Sequence, residues 1–141
     1  MKRLIALVLL LLFVLALAGC NQKSGPGRPV TAYIDDSITT VDITHYISGK
    51  STQWMAEEQD VEALRDWASK LEYELLEFEE RQSPGDSDGG EVYDFALSEG
   101  GYSDFSYVIN GSEDCYLLIE GYWFSVKNPS NPPVIEPQRK D

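Results

Sequence analysis

The chain has 141 residues, with 24 Asp and Glu against 11 Lys and Arg, one His and two Cys, and a formal net charge of −13. Removing residues 1–19, which hold Lys2 and Arg3 and no acid, leaves 122 residues with 9 bases, 24 acids and a net charge near −15. Such a charge repels phosphate backbones and anionic headgroups, which argues against a nucleic-acid binder or a polybasic membrane reader. The length limits the chain to one small domain, and its few cysteines supply no disulfide scaffold, zinc cluster or Cys/His active site.

Lys2 and Arg3 precede an unbroken apolar stretch, Leu4 to Ala18, closed by Leu17-Ala18-Gly19-Cys20. Fifteen residues at about 1.5 Å each fall short of a hydrocarbon core of roughly 30 Å, so a cleaved leader is expected rather than a spanning helix. The closing tetrapeptide resembles the lipobox of bacterial lipoproteins at each of its four positions. The resemblance implies that Cys20 becomes the acylated first residue of the mature protein, held at the outer face of the cell membrane by fatty chains such as palmitate. Residues 20–30 then read as a lipidated, flexible Gly- and Pro-containing tether.

The folded part is expected over 31–128. From Ile38 to Ile47 the chain alternates, with Val41, Ile43, His45 and Ile47 on one side and Thr40, Asp42, Thr44 and Tyr46 on the other, as in a strand with one buried face. Ser48-Gly49-Lys50 supplies a turn, and Ser51 to Met55, with Trp54, returns as a second strand. Val61, Leu64, Ala68 and Leu71 recur at helical spacing, with Glu57, Glu58, Asp60 and Glu62 in front and Arg65 and Lys70 toward the back, as the helix dipole favours. No clear N-cap marks the helix start. The same spacing continues through Leu75 and Phe78 toward Arg81, but acids at Glu72, Glu74, Glu77, Glu79 and Glu80 would crowd the negative end of the dipole. The helix is therefore expected to stop near Leu71 or Glu72, leaving Tyr73 to Phe78 free to form a strand.

Ser83 to Gly90 reads as a loop, and three aromatic-rich strands follow: Glu91 to Leu97, Phe105 to Ile109, and Cys115 to Ile119 continuing or turning at Gly121 into Tyr122 to Val126. Asn110-Gly111 is a strong hairpin dipeptide, since both residues accept positive φ. The expected fold is α+β, one amphipathic helix packed on an antiparallel sheet of five to six strands: an N-terminal hairpin, a helix and a C-terminal meander. Residues 129–141, with Pro129, Pro132, Pro133 and Pro137, form a tail, either extended or docked.

Chemistry-bearing residues are sparse. His45, the sole imidazole, shares a strand face with Val41, Ile43 and Ile47 and reads as a packed histidine with locally satisfied nitrogens. Cys115 has no basic neighbour in sequence to activate it and reads as a small buried hydrophobe. Asp86, Asp88 and Glu91 offer oxygen ligands on a glycine-containing loop, but at the wrong spacing for an EF-hand, so a solvated acidic turn is expected. No nucleophile elbow or phosphate loop occurs. The reading therefore assigns no catalytic residue, metal or cofactor, and the chain is expected not to be an enzyme. Aromatic residues remain: Trp54, Tyr122 and Trp123 are the candidates for exposed contact residues.

Gly89-Gly90-Glu91-Val92-Tyr93-Asp94-Phe95, Phe105-Ser106-Tyr107 and the ending Gly121-Tyr122-Trp123-Phe124-Ser125-Val126-Lys127-Asn128-Pro129-Ser130-Asn131-Pro132-Pro133 resemble a group of small lipoproteins of Gram-positive gut bacteria. The resemblance implies an α+β fold and surface display and supplies no site residues. The expected role is a monomeric, membrane-tethered, acidic binding or accessory domain for a cationic protein or peptide. An immunity or inhibitor protein neutralising a cationic toxin or hydrolase, and carbohydrate or cell-wall binding through exposed aromatics, stand as alternatives.

Overall fold

The computed structural model describes residues 29–77, 84, 90–97, 103–111 and 114–134. A 3₁₀ turn at Val30–Ala32 is followed by β1 (Val41–Ile47), β2 (Lys50–Ala56), α1 (Glu58–Lys70), β3 (Tyr73–Leu75), β4 (Glu91–Ala96), β5 (Phe105–Asn110), β6 (Asp114–Ile119) and β7 (Tyr122–Val126). All pairings are antiparallel, in the spatial order β2-β1-β4-β5-β6-β7-β3. The α+β class is as expected, with seven strands rather than five or six. The additional strand is β3, which the competing helical spacing left ambiguous.

Two tight turns set the hairpin registers. Ser48 and Gly49 have φ of 50° and 73°, and Glu120 and Gly121 have 51° and 81°, closing on the pairs Ile47–Lys50 and Ile119–Tyr122. Positive φ at both central residues is the twist that two-residue hairpins require. The expected hairpin at Asn110-Gly111 joins β5 to β6, with Asn110 still in β5 opposite Asp114 and positive φ at Gly111.

Side chains alternate across the sheet, and the registers align Ile43, Phe95, Phe105 and Ile119 in one row and His45, Tyr93, Tyr107 and Leu117 in the next. This face forms the core with Val61, Leu64, Trp67 and Ala68 of α1 and with Val30 and Ile34. Stacked Phe95 and Phe105, 4.7 Å apart, and an edge contact of Trp67 on Tyr107 at 5.0 Å fill its centre.

The helix begins at Glu57 without a side-chain cap, satisfying part of its first turn through backbone bonds from Asp60 and Val61 to the Glu57 carbonyl. It ends at Lys70, because Leu71 turns extended and Glu72 enters a pairing with the last strand: Lys127 N donates to Glu72 O at 2.7 Å. Arg65 does more than offset the helix dipole. Its guanidinium donates to the carbonyls of Ile34, Asp35 and Ile38 at 2.9, 3.0 and 3.2 Å, fastening the 34–38 turn to the helix.

The beginning of the C-terminal tail is docked. Asn128 Oδ1 accepts from Glu72 N and its Nδ2 donates to Lys70 O, both at 2.7 Å. Trp67 Nε1 donates to Ser130 Oγ at 2.9 Å, Ser130 N donates to the Tyr107 hydroxyl at 3.3 Å, Pro132 is buried and Val134 packs against the core. The Asn-Pro-Ser-x-Pro-Pro stretch is thus a strap closing the end of the core where α1 meets β3.

Candidate functional site

One face of the sheet carries the helix and the 3₁₀ turn. The opposite face is covered by no described helix or strand. Its central row, by register, is Tyr46–Val92–Val108–Tyr116–Ser125, and the adjacent row is Thr44–Asp94–Ser106–Leu118–Trp123. Tyr46 is 45 % exposed and Met55 60 %. Val92, Val108, Tyr116, Leu118 and Trp123 are half-buried. Strand alternation explains the face: each strand that sends Phe, Tyr or Leu into the core sends another apolar residue outward one position away. Single exposed apolar residues are ordinary, but rows of them across adjacent strands mark contact surfaces.

The described charges on this face are negative with one exception. Asp42 and Asp94 lie within it, and Asp114 and Glu120 stand at its margins. Among the described residues the only base on it is Lys127 at the far edge, whose ammonium sits 2.9 Å from Glu74. Asp94 is held by a hydrogen bond from the Ser106 hydroxyl, and Ser106 Oγ lies 3.3 Å from Ser103 Oγ.

Beside this row a recess of about 350 Å³ is lined by Tyr33, Ser103, Asp104, Ser106, Leu118 and Glu120. The Tyr33 hydroxyl donates to Glu120, and Asp104 accepts from Leu97 N at 2.8 Å, so both carboxylates are fixed in place by neighbours. Fixed carboxylates and hydroxyls around an apolar wall can receive an ammonium or guanidinium head with its aliphatic stem.

The aromatics singled out from the sequence do not converge. Trp54, on β2, faces the helix side and packs against the core. Tyr122, 39 % exposed, faces the same side on β7, five strand steps and about 24 Å away. Trp123 points the opposite way, onto the open face next to Leu118. Of the three, only Trp123 belongs to the open aromatic surface, where Tyr46 and Tyr116 join it. Tyr46 was legible as an outward residue of its strand; Tyr116 required the register between β5 and β6.

His45 lies at 8 % exposure on the core face, stacked on Tyr93 with ring centroids 4.2 Å apart and planes within 7°. Its Nε2 is 3.0 Å from Glu91 Oε2, which also accepts from the Tyr93 hydroxyl at 3.4 Å. The imidazole is therefore packed and hydrogen-bonded within the sheet. Glu91 is engaged with it, while Asp86 and Asp88 of the imagined calcium loop lie outside the described residues.

Cys115 is buried, and burial pushes its thiol above the ordinary value, away from reactivity. Tyr107, with which it shares a hydrogen bond, is likewise pushed above its ordinary value, again chiefly by burial. Of the acids following the helix, Glu72, Glu74 and Glu77 are exposed, whereas Glu79 and Glu80 lie outside the described residues, as does Cys20. Among the described residues no group of three or more His, Cys, Asp or Glu is arranged to hold a metal ion, and no buried side-chain polar atom lacks a partner. No described helix is long and apolar enough to cross a membrane. Against known families, curated proteins and solved structures, the chain shows no match.

Proposed function

We propose that the protein is an extracytoplasmic lipoprotein, anchored through Cys20, that serves as a non-enzymatic binding or accessory domain and receives a cationic protein or peptide on the open face of its sheet. The observation that carries this reading is the composition of that face: Tyr46, Tyr116, Leu118 and Trp123 exposed or half-buried in adjacent rows, with Asp42, Asp94, Asp114 and Glu120 in and around them. Aromatic side chains provide contact area at low entropic cost, and the acids speed encounter with a basic partner and select against acidic ones.

The point where the tether joins supports the same reading. Val30 is buried on the helix side, where its N–H donates to the Tyr73 hydroxyl at 3.1 Å. Residues 20–30 span at most about 35 Å when extended. A chain moored from that side leaves its open face turned away from the membrane.

Two measurements test the proposal. Mass spectrometry of the native protein should find a diacylglyceryl thioether on Cys20; an unmodified terminus on cytosolic material removes the anchor. Binding of a panel of cationic secreted proteins should weaken as salt rises from about 50 mM to 500 mM, because that range shortens the Debye length severalfold. The same binding should be lost in Tyr116→Ala and Trp123→Ala. Affinity indifferent to salt counts against the electrostatic part. An immunity role uses the same surface against a toxin or hydrolase, and sensitivity of a deletion strain to its neighbours identifies that case.

A further inference from the structure

The two edges of the sheet are built differently. β3 is three residues long, carries Glu74 at its centre and has Glu72 and Glu77 beside it, so its free edge is short and repels other strands. β2 is seven residues long, Lys50-Ser51-Thr52-Gln53-Trp54-Met55-Ala56, with no proline, no glycine and no acid in a chain of net charge −13. Its register with β1 is unbroken from Lys50 to Ala56, with no bulge, and among the described residues it pairs with β1 alone. A long, unbroken edge strand is the feature that sheet proteins ordinarily blunt with charges, prolines or bulges.

The register also fixes which backbone groups are open. The two-residue turn closes on Ile47–Lys50, so Lys50, Thr52, Trp54 and Ala56 direct their amides to β1, while Ser51, Gln53 and Met55 direct theirs outward. Met55, the most exposed large hydrophobic residue described, and half-buried Trp54 lie on this strand. At one end stands Lys50, and at the other Glu57 and Glu58 begin the helix.

We infer that β2 pairs antiparallel with β2 of a second copy of this chain, on a two-fold axis through Gln53, joining two sheets into one of fourteen strands. In this register Gln53 opposes Gln53 of the second copy and Ser51 opposes its Met55, so every outward N–H and C=O of the three residues finds a partner. Thr52 meets the second copy's Trp54, and Lys50 comes beside its Glu57 and Glu58. Each copy therefore answers the other's charge at both ends of the strand. The axis runs perpendicular to the sheet, so both helix layers lie on one side and both open faces on the other. Two tethers entering on the helix side can then reach one membrane. The proposed dimer stands in place of the monomer expected from the sequence.

The test is cysteine cross-linking of the full-length lipoprotein in membranes, read by non-reducing gel electrophoresis, with the unsubstituted chain as background. Gln53→Cys should give a reducible species of twice the chain mass, because residues paired on the axis lie about 5.5 Å apart between Cα atoms. Ser51→Cys should not, since four residues of strand separate its two copies by about 13 Å, and Ser51→Cys with Met55→Cys together should restore the cross-link. Gln53→Pro removes an outward N–H without touching the β1 ladder, and should weaken dimerisation of the purified full-length lipoprotein, measured by analytical ultracentrifugation in detergent, by about tenfold or more. Cross-linking equal at positions 51 and 53, or a Gln53→Cys chain that remains single, overturns the inference.

Discussion

The indole of Trp67 donates its Nε1 hydrogen to the hydroxyl of Ser130 at 2.9 Å, joining two residues 63 positions apart. The same indole packs edge-on against Tyr107, whose hydroxyl receives the Ser130 N–H. Trp67→Phe keeps most of the ring and loses the donor. A cost of about 1–2 kcal/mol is expected for a buried hydrogen bond of this kind. Thermal melts should show it, and limited proteolysis should cut the strap near Ser130 faster than in the parent.

Asn128 uses both ends of its amide at the helix terminus, accepting from Glu72 N and donating to Lys70 O. Asn128→Ala should cost about 1 kcal/mol, since these bonds are exposed and water competes for them. Asn128→Asp keeps the acceptor, loses the donor and places a negative charge at the negative end of the helix dipole. It should be no better than alanine, and urea denaturation at neutral pH decides the order.

Cys115 and Tyr107 both ionise from a neutral form, with ordinary values of 9.0 and 10.0, and burial raises both in the folded protein. The unfolded chain therefore releases these protons at lower pH than the fold does. Stability from this pair is fully present below about pH 9 and declines as pH rises through the alkaline range toward the raised values. Denaturant midpoints measured between pH 7 and 11 should fall above pH 9, and Cys115→Ala with Tyr107→Phe should flatten the decline while lowering the neutral-pH value.

At Gly121, with φ of 81°, a Cβ would meet nothing within 4 Å. The cost of Gly121→Ala is then backbone strain alone, about 1 kcal/mol. Ser48, with φ of 50°, is exposed beside Gly49. Ser48→Asn gives the dipeptide that this turn prefers and should raise the melting temperature by a degree or more.

On the open face, Tyr46 is 45 % exposed, so Tyr46→Ser should alter stability by no more than about 0.5 kcal/mol. A larger loss would show that the tyrosine supports the sheet itself, and equilibrium unfolding distinguishes the two.

Much of the architecture was legible because the periods are clean. Val61, Leu64 and Ala68 mark one helix face, and α1 falls there; Val41, Ile43 and His45 alternate with polar neighbours, and β1 runs from Val41 to Ile47 rather than from Ile38, residues 38–40 lying before the strand. The stop at Lys70 followed from the acids behind it. The helical spacing gave no notice of Trp67 as a clamp, because its partner, Ser130, lies in a proline-rich stretch without periodicity. The hairpin at Asn110-Gly111 joins β5 to β6 as the dipeptide indicates, but Asn110 remains in the strand opposite Asp114, a register that the dipeptide alone does not encode. The open face was half visible. Alternation showed that Tyr46 points outward, but which residues stand beside it depends on strand order, and β1 beside β4 is a long-range choice that a local pattern does not encode.

Ser130, Pro132 and Val134 complete a core that begins at Val30, and Tyr73 pairs with Val126. A polypeptide emerging amino end first must extend past Val134 before the core that includes Val30 can close. Packing cannot finish until synthesis has delivered these residues, and closure over such sequence distances is slow. Completion of the core is thereby deferred to the arrival of residues 130–134.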